Sequence, residues 1–355
     1  DDQQQQQQQQ QQQGNQEQQR DSKIEITNEN PNQPSSDQQQ EHQSEKQQQG
    51  SYQSLPPDDG NIEKLVRAHE KYSLWLDVDE QLPFQQGPQI PFFWHIHKSG
   101  GSSMKHIMTC LGRTQTRRMS DPNCSDQDDT LKICDLEFGS VVNVDASNPK
   151  GIERAVEKNL VDQTNFDRLV VTTSRVYEAL PILTNSHRGR FFAVFRDPIE
   201  RAVSKFYYTK VATWEKNYKP QVQNMTLMEY ASSPYCYNDW ITRRLVHKMQ
   251  GHLTNEDFMV AKEVLRQKCL VLFTDNMMDA GERLVKYFGW PMPEESKDCI
   301  HKFAVEEPIN TNPHPQLEPN TPEYEAIARR NSYDVALYKY AKELYNQQTA
   351  LINSL

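Results

Sequence analysis

No apolar run in the sequence approaches the roughly 20 residues that a membrane-spanning helix requires. The 355 residues therefore contain no candidate membrane span. Because the sequence starts at Asp1 rather than at a methionine, we expect a further segment upstream of it. An anchor in that segment would make the protein a type II membrane protein, and the anchor would be its only membrane contact.

The cysteines of the chain form no CxxC pair, which is the spacing typical of zinc sites and thioredoxin-like redox sites. They are Cys110, Cys124, Cys134, Cys236, Cys269 and Cys299. Since no metal-ligand pattern is visible either, we expect no metal ion in the protein. The sequence leaves the disulfide pairing open.

Basic residues are not in excess, because the formal net charge at pH 7 is -10. Most of that charge lies in residues 1–60, which hold 11 acidic and 3 basic side chains, whereas the remainder holds 38 and 36. No extended basic patch indicates a nucleic-acid partner. The nearly neutral remainder still permits a locally basic site for a small anion.

Residues 1–60 almost lack apolar side chains and include an unbroken glutamine run at positions 3–13. Such a segment cannot bury enough apolar surface to offset the entropy that it would lose on ordering. We therefore predict a disordered, Gln-rich acidic tail or stem over residues 1–60 and one folded domain over residues 61–355.

From residue 61 onward, short apolar runs alternate with segments of helical periodicity. The predicted strands are 92–96, 140–144, 168–172, 191–195 and 269–273. The predicted helices are 61–73, 104–111, 151–159, 198–208, 238–249, 255–267, 280–288 and 322–347. A polar stretch at 121–135 is predicted to be a surface excursion. The alternation predicts an α/β domain of three layers, with a mostly parallel sheet and helices on both of its faces.

The first group of candidate site residues lies where the first apolar strand gives way to a helix. It comprises His97, Lys98, Ser99, Gly100, Gly101, Ser102 and Ser103. In such a turn the glycines let the backbone approach an anion closely, the unpaired amides of the helix start point at it, and the lysine adds a positive charge. The pattern predicts a solvent-facing, phosphate-binding turn. Its lysine precedes the glycines, unlike the GxxxxGK[ST] loop of nucleotide hydrolases.

The second group lies at another junction of strand and helix, where 191–195 is followed by Arg196-Asp197-Pro198. Open α/β sheets bind ligands at the carboxyl ends of their strands, which is where Arg196 stands. Helical spacing places Arg201, Ser204 and Lys205 on one side of the helix that follows. A guanidinium and a hydroxyl near one helix start suit a phosphomonoester.

The lysine-first KSGGSS turn followed by RDPIERAVS resembles the two cofactor motifs of the PAPS-dependent sulfotransferase superfamily, where PAPS is 3'-phosphoadenylyl sulfate. More narrowly, the chain is similar to the Golgi carbohydrate branch, the heparan-sulfate 2-O-like enzymes of sulfotransfer family 2. The resemblance extends from about Phe92 to Tyr345 and implies the P-loop-like sulfotransferase fold. It also implies that residues 98–103 bind the 5'-phosphosulfate and that Arg196 and Ser204 bind the 3'-phosphate.

The resemblance implies metal-free, in-line transfer of a sulfuryl group from PAPS to a hydroxyl or amine acceptor, with Lys98 stabilising the leaving oxygen. Several relatives have a Gly-His pair after the strand 168–172 that supplies the catalytic base, but this chain lacks it. Glu178 is the first candidate because it lies near that segment, and His95 and His97 follow because they flank the turn.

Two other functions stay open at this point. One is a P-loop-like phosphotransferase or nucleotide hydrolase, and the other is a non-catalytic anion- or carbohydrate-binding relative of the fold. The branch implies a carbohydrate acceptor and the Golgi lumen. Glycosylation sequons at Asn123 and Asn224 are compatible with that location.

Deleting residues 1–60 should change neither the melting temperature nor turnover on small acceptors, because nothing in that segment can join a hydrophobic core. Differential scanning calorimetry and a turnover assay on the truncated chain test this prediction. A fall in melting temperature of several degrees would contradict it.

Overall fold

The computed structural model describes residues 61–69, 72–84, 88–121, 123–137, 139–163, 168–215, 218–307 and 313–355. All of them belong to the compact unit Asp58–Leu355. The disordered tail predicted over residues 1–60 lies outside the described residues.

The central sheet is built from seven strands of the described part of the chain, in the order β5-β6-β2-β7-β1-β8-β9. The strands in chain order are β1 (Gln89–Trp94), β2 (Thr114–Arg117), β3 (Ser120–Asp121), β4 (Cys124–Ser125), β5 (Ile133–Leu136), β6 (Gly139–Asn143), β7 (Leu169–Thr173), β8 (Arg188–Phe195) and β9 (Cys269–Phe273). Pairing is parallel throughout the sheet except between β5 and β6. The short strands β3 and β4 form a separate antiparallel pair.

The pairing of β1 with β8 brings the two candidate turns together. Phe92 is in register with Phe191, and β1 and β8 run parallel as neighbours in the sheet. After β1 the chain crosses to β2 on one side, and after β8 it crosses to β9 on the other. Diverging connections of this kind leave a crevice at the carboxyl ends of the strands, where open α/β sheets bind ligands.

Helices cover both faces of the sheet. They are α1 (Asn61–Ala68), α2 (Gly101–Cys110), α3 (Pro149–Glu157), α4 (Pro198–Val211), α5 (Pro220–Gln223), α6 (Leu227–Ser232), α7 (Trp240–Val246), α8 (Asn255–Lys268), α9 (Met277–Phe288), α10 (Glu294–His301), α11 (Pro322–Arg330) and α12 (Ser332–Asn353). A π-helical segment, Lys302–Glu306, follows α10.

Alternate side chains of β1 enter different hydrophobic clusters, as expected when a strand is covered on both faces. Phe92 and Trp94 pack in a cluster with residues of α3, α7, α8 and α12. Phe93 packs in another, with residues of α2, α9 and α10. The predicted three-layer α/β fold with a mostly parallel sheet is therefore confirmed.

The long terminal helix predicted over 322–347 is wrong in one respect, because α11 and α12 are separate helices. The predicted start holds, since the Thr321 hydroxyl accepts a hydrogen bond from the Tyr324 amide. The break comes at buried Asn331, whose side chain donates to the Ile327 carbonyl oxygen and accepts from the Asp239 amide. Hydrogen bonds made by this side chain compete with the regular hydrogen bonding of a continuous helix.

Other differences from the prediction concern short or polar elements. The structure adds β2, β5, α5, α6 and α10, none of which the sequence indicated. The predicted excursion at 121–135 contains the β3–β4 pair and a disulfide between Cys124 and Cys134. A second disulfide joins Cys110 at the end of α2 to Cys299 in α10. No helix among the described residues is long and apolar enough to cross a membrane.

Candidate active site

The first turn adopts a backbone conformation that is unusual for a lysine. Between β1 and α2, both Lys98 and Gly100 have left-handed φ angles, of 63° and 66°. Glycine adopts this region without cost, but other residues do so infrequently, and backbone strain of this kind clusters at functional sites. The turn therefore holds Lys98 in a position that its own backbone preference does not favour.

Gly101, the first residue of α2, lies directly against His95. A Cβ atom at position 101 would come within 2.0 Å of Cδ2 of that ring, so only glycine fits while His95 keeps its place. The N-cap residue Gly100 offers no side-chain cap to the helix. The first amides of α2 are thus available to a ligand, since a helix leaves its first four N–H groups without intrahelical partners.

The Ser99 hydroxyl is buried inside this turn and has no hydrogen-bond partner among the described residues. A buried hydroxyl without a partner costs free energy in the isolated protein. Beside it, the open amides of α2 and the Lys98 ammonium form a set of donors at the cleft. Such a set fits an anionic ligand.

Lys98 is half-buried rather than solvent-facing as the sequence predicted. Its ammonium lies 3.9 Å from the centre of the Tyr208 ring. Burial and, after it, the positive charges of Lys205 and Arg196 lower the pKa of Lys98 to about 8, against an opposing effect of Glu215. An anion in the cleft would relieve this repulsion between cations.

The second turn begins where β8 ends. Asp197 caps α4, accepting hydrogen bonds from the amides of Ile199 (2.9 Å) and Glu200 (3.2 Å). Arg196 reaches across to the first turn, where its Nη1 lies 3.5 Å from the Lys98 carbonyl oxygen, and its Nη2 lies 3.3 Å from the Glu200 carboxylate. Two segments about a hundred residues apart in sequence are therefore in direct contact.

Both turns line one cleft of about 710 Å³. The sequence-predicted residues on its wall are His95, His97, Lys98, Gly100, Gly101, Ser102, Ser103, Arg196 and Ser204. Ser99 is buried in the same turn, and Glu178 does not belong to the lining. The structure brings the predicted phosphosulfate and 3'-phosphate residues into one site.

Several lining residues were missed by the sequence analysis. They are Tyr208, Thr209, Ala212, Glu215, Tyr218, Tyr237, Thr274, Met277, Ala304, Pro313 and His314. Tyr208 had a usable signal, because it follows Ser204 at i+4 on α4 and therefore shares its face. His314 and Tyr218 arrive on irregular segments, for which no periodicity exists. Lys205 also lines the cleft as its helical spacing indicated, whereas Arg201 is fully buried.

The two histidines beside the first turn differ in surroundings. His95 packs on Gly101, and burial lowers its pKa well below the usual range. His97 lies on the cleft wall, with its ring 5.8 Å from the ring of Trp240. The protein around His97 desolvates it and lowers its pKa to about 4, with Lys205 and Arg201 adding to the effect. At neutral pH both rings are uncharged.

Glu178 is held outside the cleft by arginines. Its Oε1 accepts a hydrogen bond from Arg244 Nη1 at 3.0 Å and lies 3.6 Å from Arg175 Nη1. Arg243, the neighbour of Arg244, donates to the carbonyl oxygens of Asn238, Lys248 and Gly251. These side chains have structural partners, and the role of Glu178 as a base stays a prediction.

The family model described as "Sulfotransferase family" matches residues 91–341, which is more than two thirds of the chain. The chain belongs to this family. The predicted enzyme class, a PAPS-dependent sulfotransferase that transfers a sulfuryl group, is confirmed at this level. Family membership also decides against the phosphotransferase considered from the sequence.

Other comparisons add little to this assignment. No curated protein sequence matches the chain. Among solved structures, the chain is similar to mouse sulfotransferase SULT7A1 complexed with PAP, with 14% identity and a TM-score of 0.37. That match covers 80% of this chain and 89% of the mouse chain. Among the described residues, no group of three or more His, Cys, Asp or Glu side chains is placed to hold a metal ion.

Replacing Lys98 by Ala should lower the turnover of this sulfotransferase by about 100-fold or more while the protein stays folded, because its charge is needed chiefly where negative charge develops. Lys210→Ala is the matched control. Lys210 also lies on an aromatic ring, 4.9 Å from the centre of Phe206, but outside the cleft lining. Turnover and melting temperature of both variants are the measurements. A Lys98→Ala variant that keeps most of its turnover would show that Lys98 is not needed for the reaction.

Proposed function

We propose that the cleft binds PAPS with its phosphosulfate at the first turn and its 3'-phosphate at Arg196 and Ser204. The observation that carries this proposal is the meeting of the two turns in one cleft, with Arg196 in contact with the Lys98 carbonyl oxygen. The distribution of donors supports the same orientation. Lysine, amides and the unpartnered Ser99 hydroxyl gather at the first turn, and Arg196 and buried Ser204 gather at the second.

Bound PAPS supplies an activated sulfuryl group, whose transfer leaves negative charge on the oxygen that joined it to phosphate. The Lys98 ammonium and the first amides of α2 are the groups that would stabilise this charge. A pKa of about 8 leaves Lys98 mostly protonated at pH 7. Before a ligand binds, the positive charges of Lys205 and Arg196 repel the Lys98 ammonium, and Glu215 is the nearby anion that opposes them. Its charge is therefore available to the reaction.

We propose that His97 is the base that accepts the proton of the acceptor hydroxyl. His97 lines the cleft and is neutral at pH 7, so a ring nitrogen can take a proton. The new bond forms between the acceptor oxygen and sulfur, the bond from sulfur to the bridging oxygen breaks, and the proton passes to the imidazole. His95 is less suitable because its ring is packed on Gly101. Glu178 is less suitable because arginines hold it outside the lining.

We propose a carbohydrate acceptor and a location in the Golgi lumen. The two disulfides support an oxidising compartment, since such bonds persist mainly in secretory and extracellular proteins. The Asn224 sequon stands on an exposed turn between α5 and α6, where a glycan could be attached. Tyr218 and Tyr237 on the cleft wall offer aromatic faces on which sugar rings can pack.

The acceptor proposal is tested by incubating the protein with sulfur-labelled PAPS and matched sets of acceptors. The first set contains neutral oligosaccharides. The second contains sulfated and uronic-acid-containing oligosaccharides, and the third contains small phenols and steroids. We expect label in the oligosaccharide sets, and Lys98→Ala as the control should remove it. Label confined to phenols or steroids would contradict a carbohydrate acceptor while leaving sulfuryl transfer intact.

The pH dependence of kcat/KM should be bell-shaped. It should rise with pH through about 4, where His97 becomes neutral and able to accept a proton, and fall above about 8, where Lys98 loses its charge. His97→Asn should lower kcat by about 100-fold or more and remove the acidic limb. Glu178→Gln and His95→Asn are the comparison variants. Loss of turnover in Glu178→Gln with full turnover in His97→Asn would make Glu178 the base instead.

A further inference from the structure

Behind the cleft wall, the first turns of α7 and α12 cap each other. Asp334 in α12 accepts hydrogen bonds from the amides of Ile241 (3.0 Å) and Thr242 (2.8 Å), both in α7. Asp239, which precedes α7, accepts from the amides of Tyr333 (2.8 Å) and Asp334 (3.0 Å) in α12. Each helix therefore receives its capping carboxylate from the segment that starts the other helix.

Arg201 from α4 is the cation that pairs with Asp334. Its Nη2 lies 3.0 Å from Asp334 Oδ2, and both side chains are fully buried. The two helix N-termini contribute further partial positive charge, of roughly half a unit each. Asp334, the Arg201 guanidinium and the start of α7 thus form one buried charged set. Removing one member of such a buried set leaves another uncompensated.

The remaining face of the Arg201 guanidinium lies on aromatic rings. Its Cζ is 4.4 Å from the centre of the Tyr237 ring and 5.5 Å from that of Trp240. Its Nε and Nη1 have no hydrogen-bond partner among the described residues, as expected when a guanidinium stacks on rings rather than bonding to oxygen. Tyr237 lines the cleft, and Trp240 contacts the His97 ring. A chain of contacts thus leads from the ion pair to the proposed base.

We propose that Arg201 is a positioning residue for sulfuryl transfer, which holds Tyr237 and Trp240 as the wall against which His97 is set. The inference rests on the proposed role of His97. Arg201 does not belong to the cleft lining, so it acts through the two aromatic side chains. Lysine could keep the ion pair with Asp334, but it lacks the planar face that packs on Tyr237 and Trp240. Arg201→Lys should therefore keep a positive charge beside Asp334 and lose the packing that positions Tyr237 and Trp240.

The carboxylate pair provides a test that does not depend on activity. Burial and the nearby charge of Asp334 raise the pKa of Asp239 to about 7, against the opposing effect of its hydrogen bonds to the amides of Asp334 and Tyr333. The groups that face Asp239 from the packed elements are Asp334 and Tyr333 of α12, Asn331, and Arg243 of α7.

The folded protein binds more protons at Asp239 than the unfolded chain between about pH 4 and pH 7. Its stability should therefore fall as the pH rises across that window. Asp239→Asn keeps an oxygen acceptor for the two amides and should abolish this fall. A melting temperature with the same pH dependence in wild type and Asp239→Asn would overturn the account of the carboxylate pair.

The kinetic experiment compares Arg201→Met and Arg201→Lys with Lys268→Met as a matched control. Lys268 is also a buried cation, bonded to the Asp77 carboxylate and to the Trp75 carbonyl oxygen, but it lies at the opposite ends of the strands. We expect both Arg201 variants to lose at least about 10-fold in kcat, since a misplacement near 1 Å can cost about 100-fold. Their affinity for PAP, measured by calorimetry, should change far less. Lys268→Met should lose stability and keep its kcat.

A double variant, His97→Asn with Arg201→Lys, separates this inference from the proposed function. If Arg201 acts through His97, Arg201→Lys should lower kcat much less in the His97→Asn background than in the wild type. Equal effects in both backgrounds, or full kcat in a folded Arg201→Lys variant, would overturn the positioning role. Wild-type kcat in His97→Asn alone would instead overturn the choice of His97 as base. If Arg201→Met does not fold, Arg201→Lys carries the test.

Discussion

The parallel pairing of β1 with β8 is the constraint on which the site depends. Each strand ends in a turn that leads into a helix, and the register Phe92 to Phe191 places both turns at the same edge of the sheet. The chain then leaves β1 and β8 in opposite directions, which opens the crevice between them. Neither turn forms the cleft alone, because its lining includes residues that follow β1 and residues that follow β8.

The site keeps its cations close together with few anions among them. Burial, together with the positive charges of Lys205 and Arg196, lowers the pKa of Lys98 to about 8. The Ser99 hydroxyl is likewise buried without a partner. A protein tolerates such an arrangement because its stability comes from elsewhere, here from the two apolar faces of the sheet. The arrangement is costly without an anion and favourable with one, so it is suited to a doubly phosphorylated nucleotide.

Sequence reasoning succeeded where the signal is local and apolar. The buried strands β1, β8 and β9 and the turns that follow β1 and β8 were predicted because each is a short apolar run followed by a distinctive polar segment. It failed for β2, whose residues are Thr, Gln, Thr and Arg. In β2, a side chain adds hydrogen bonds to the neighbouring strand. The Thr116 hydroxyl donates to the Thr172 carbonyl oxygen and accepts a hydrogen bond from the Thr172 amide.

The candidate site shows the same limit. Arg201, Ser204 and Lys205 lie on one side of α4. Helical periodicity does not show whether that side faces a cleft or packs against a neighbouring helix. Ser204 and Lys205 face the cleft, whereas Arg201 is paired with Asp334 more than a hundred residues away. Glu178 was ranked first as base from its place after β7, and its bond to Arg244 depends on a contact between distant segments. Such partners follow from the tertiary structure alone.

The central claim is that one cleft holds both phosphate groups of the nucleotide, each at its own turn. Calorimetric titration of the protein with PAP and with AMP, which lacks the 3'-phosphate, tests it most directly. Wild-type protein should bind PAP about 10- to 100-fold more tightly than AMP, as expected for charge-assisted bonds worth about 1.5 to 3 kcal/mol. Replacing Arg196 and Ser204 together by Ala should erase that preference while leaving AMP affinity nearly unchanged. Equal affinity for PAP and AMP in the wild type, or a preference that survives the double replacement, would contradict the account.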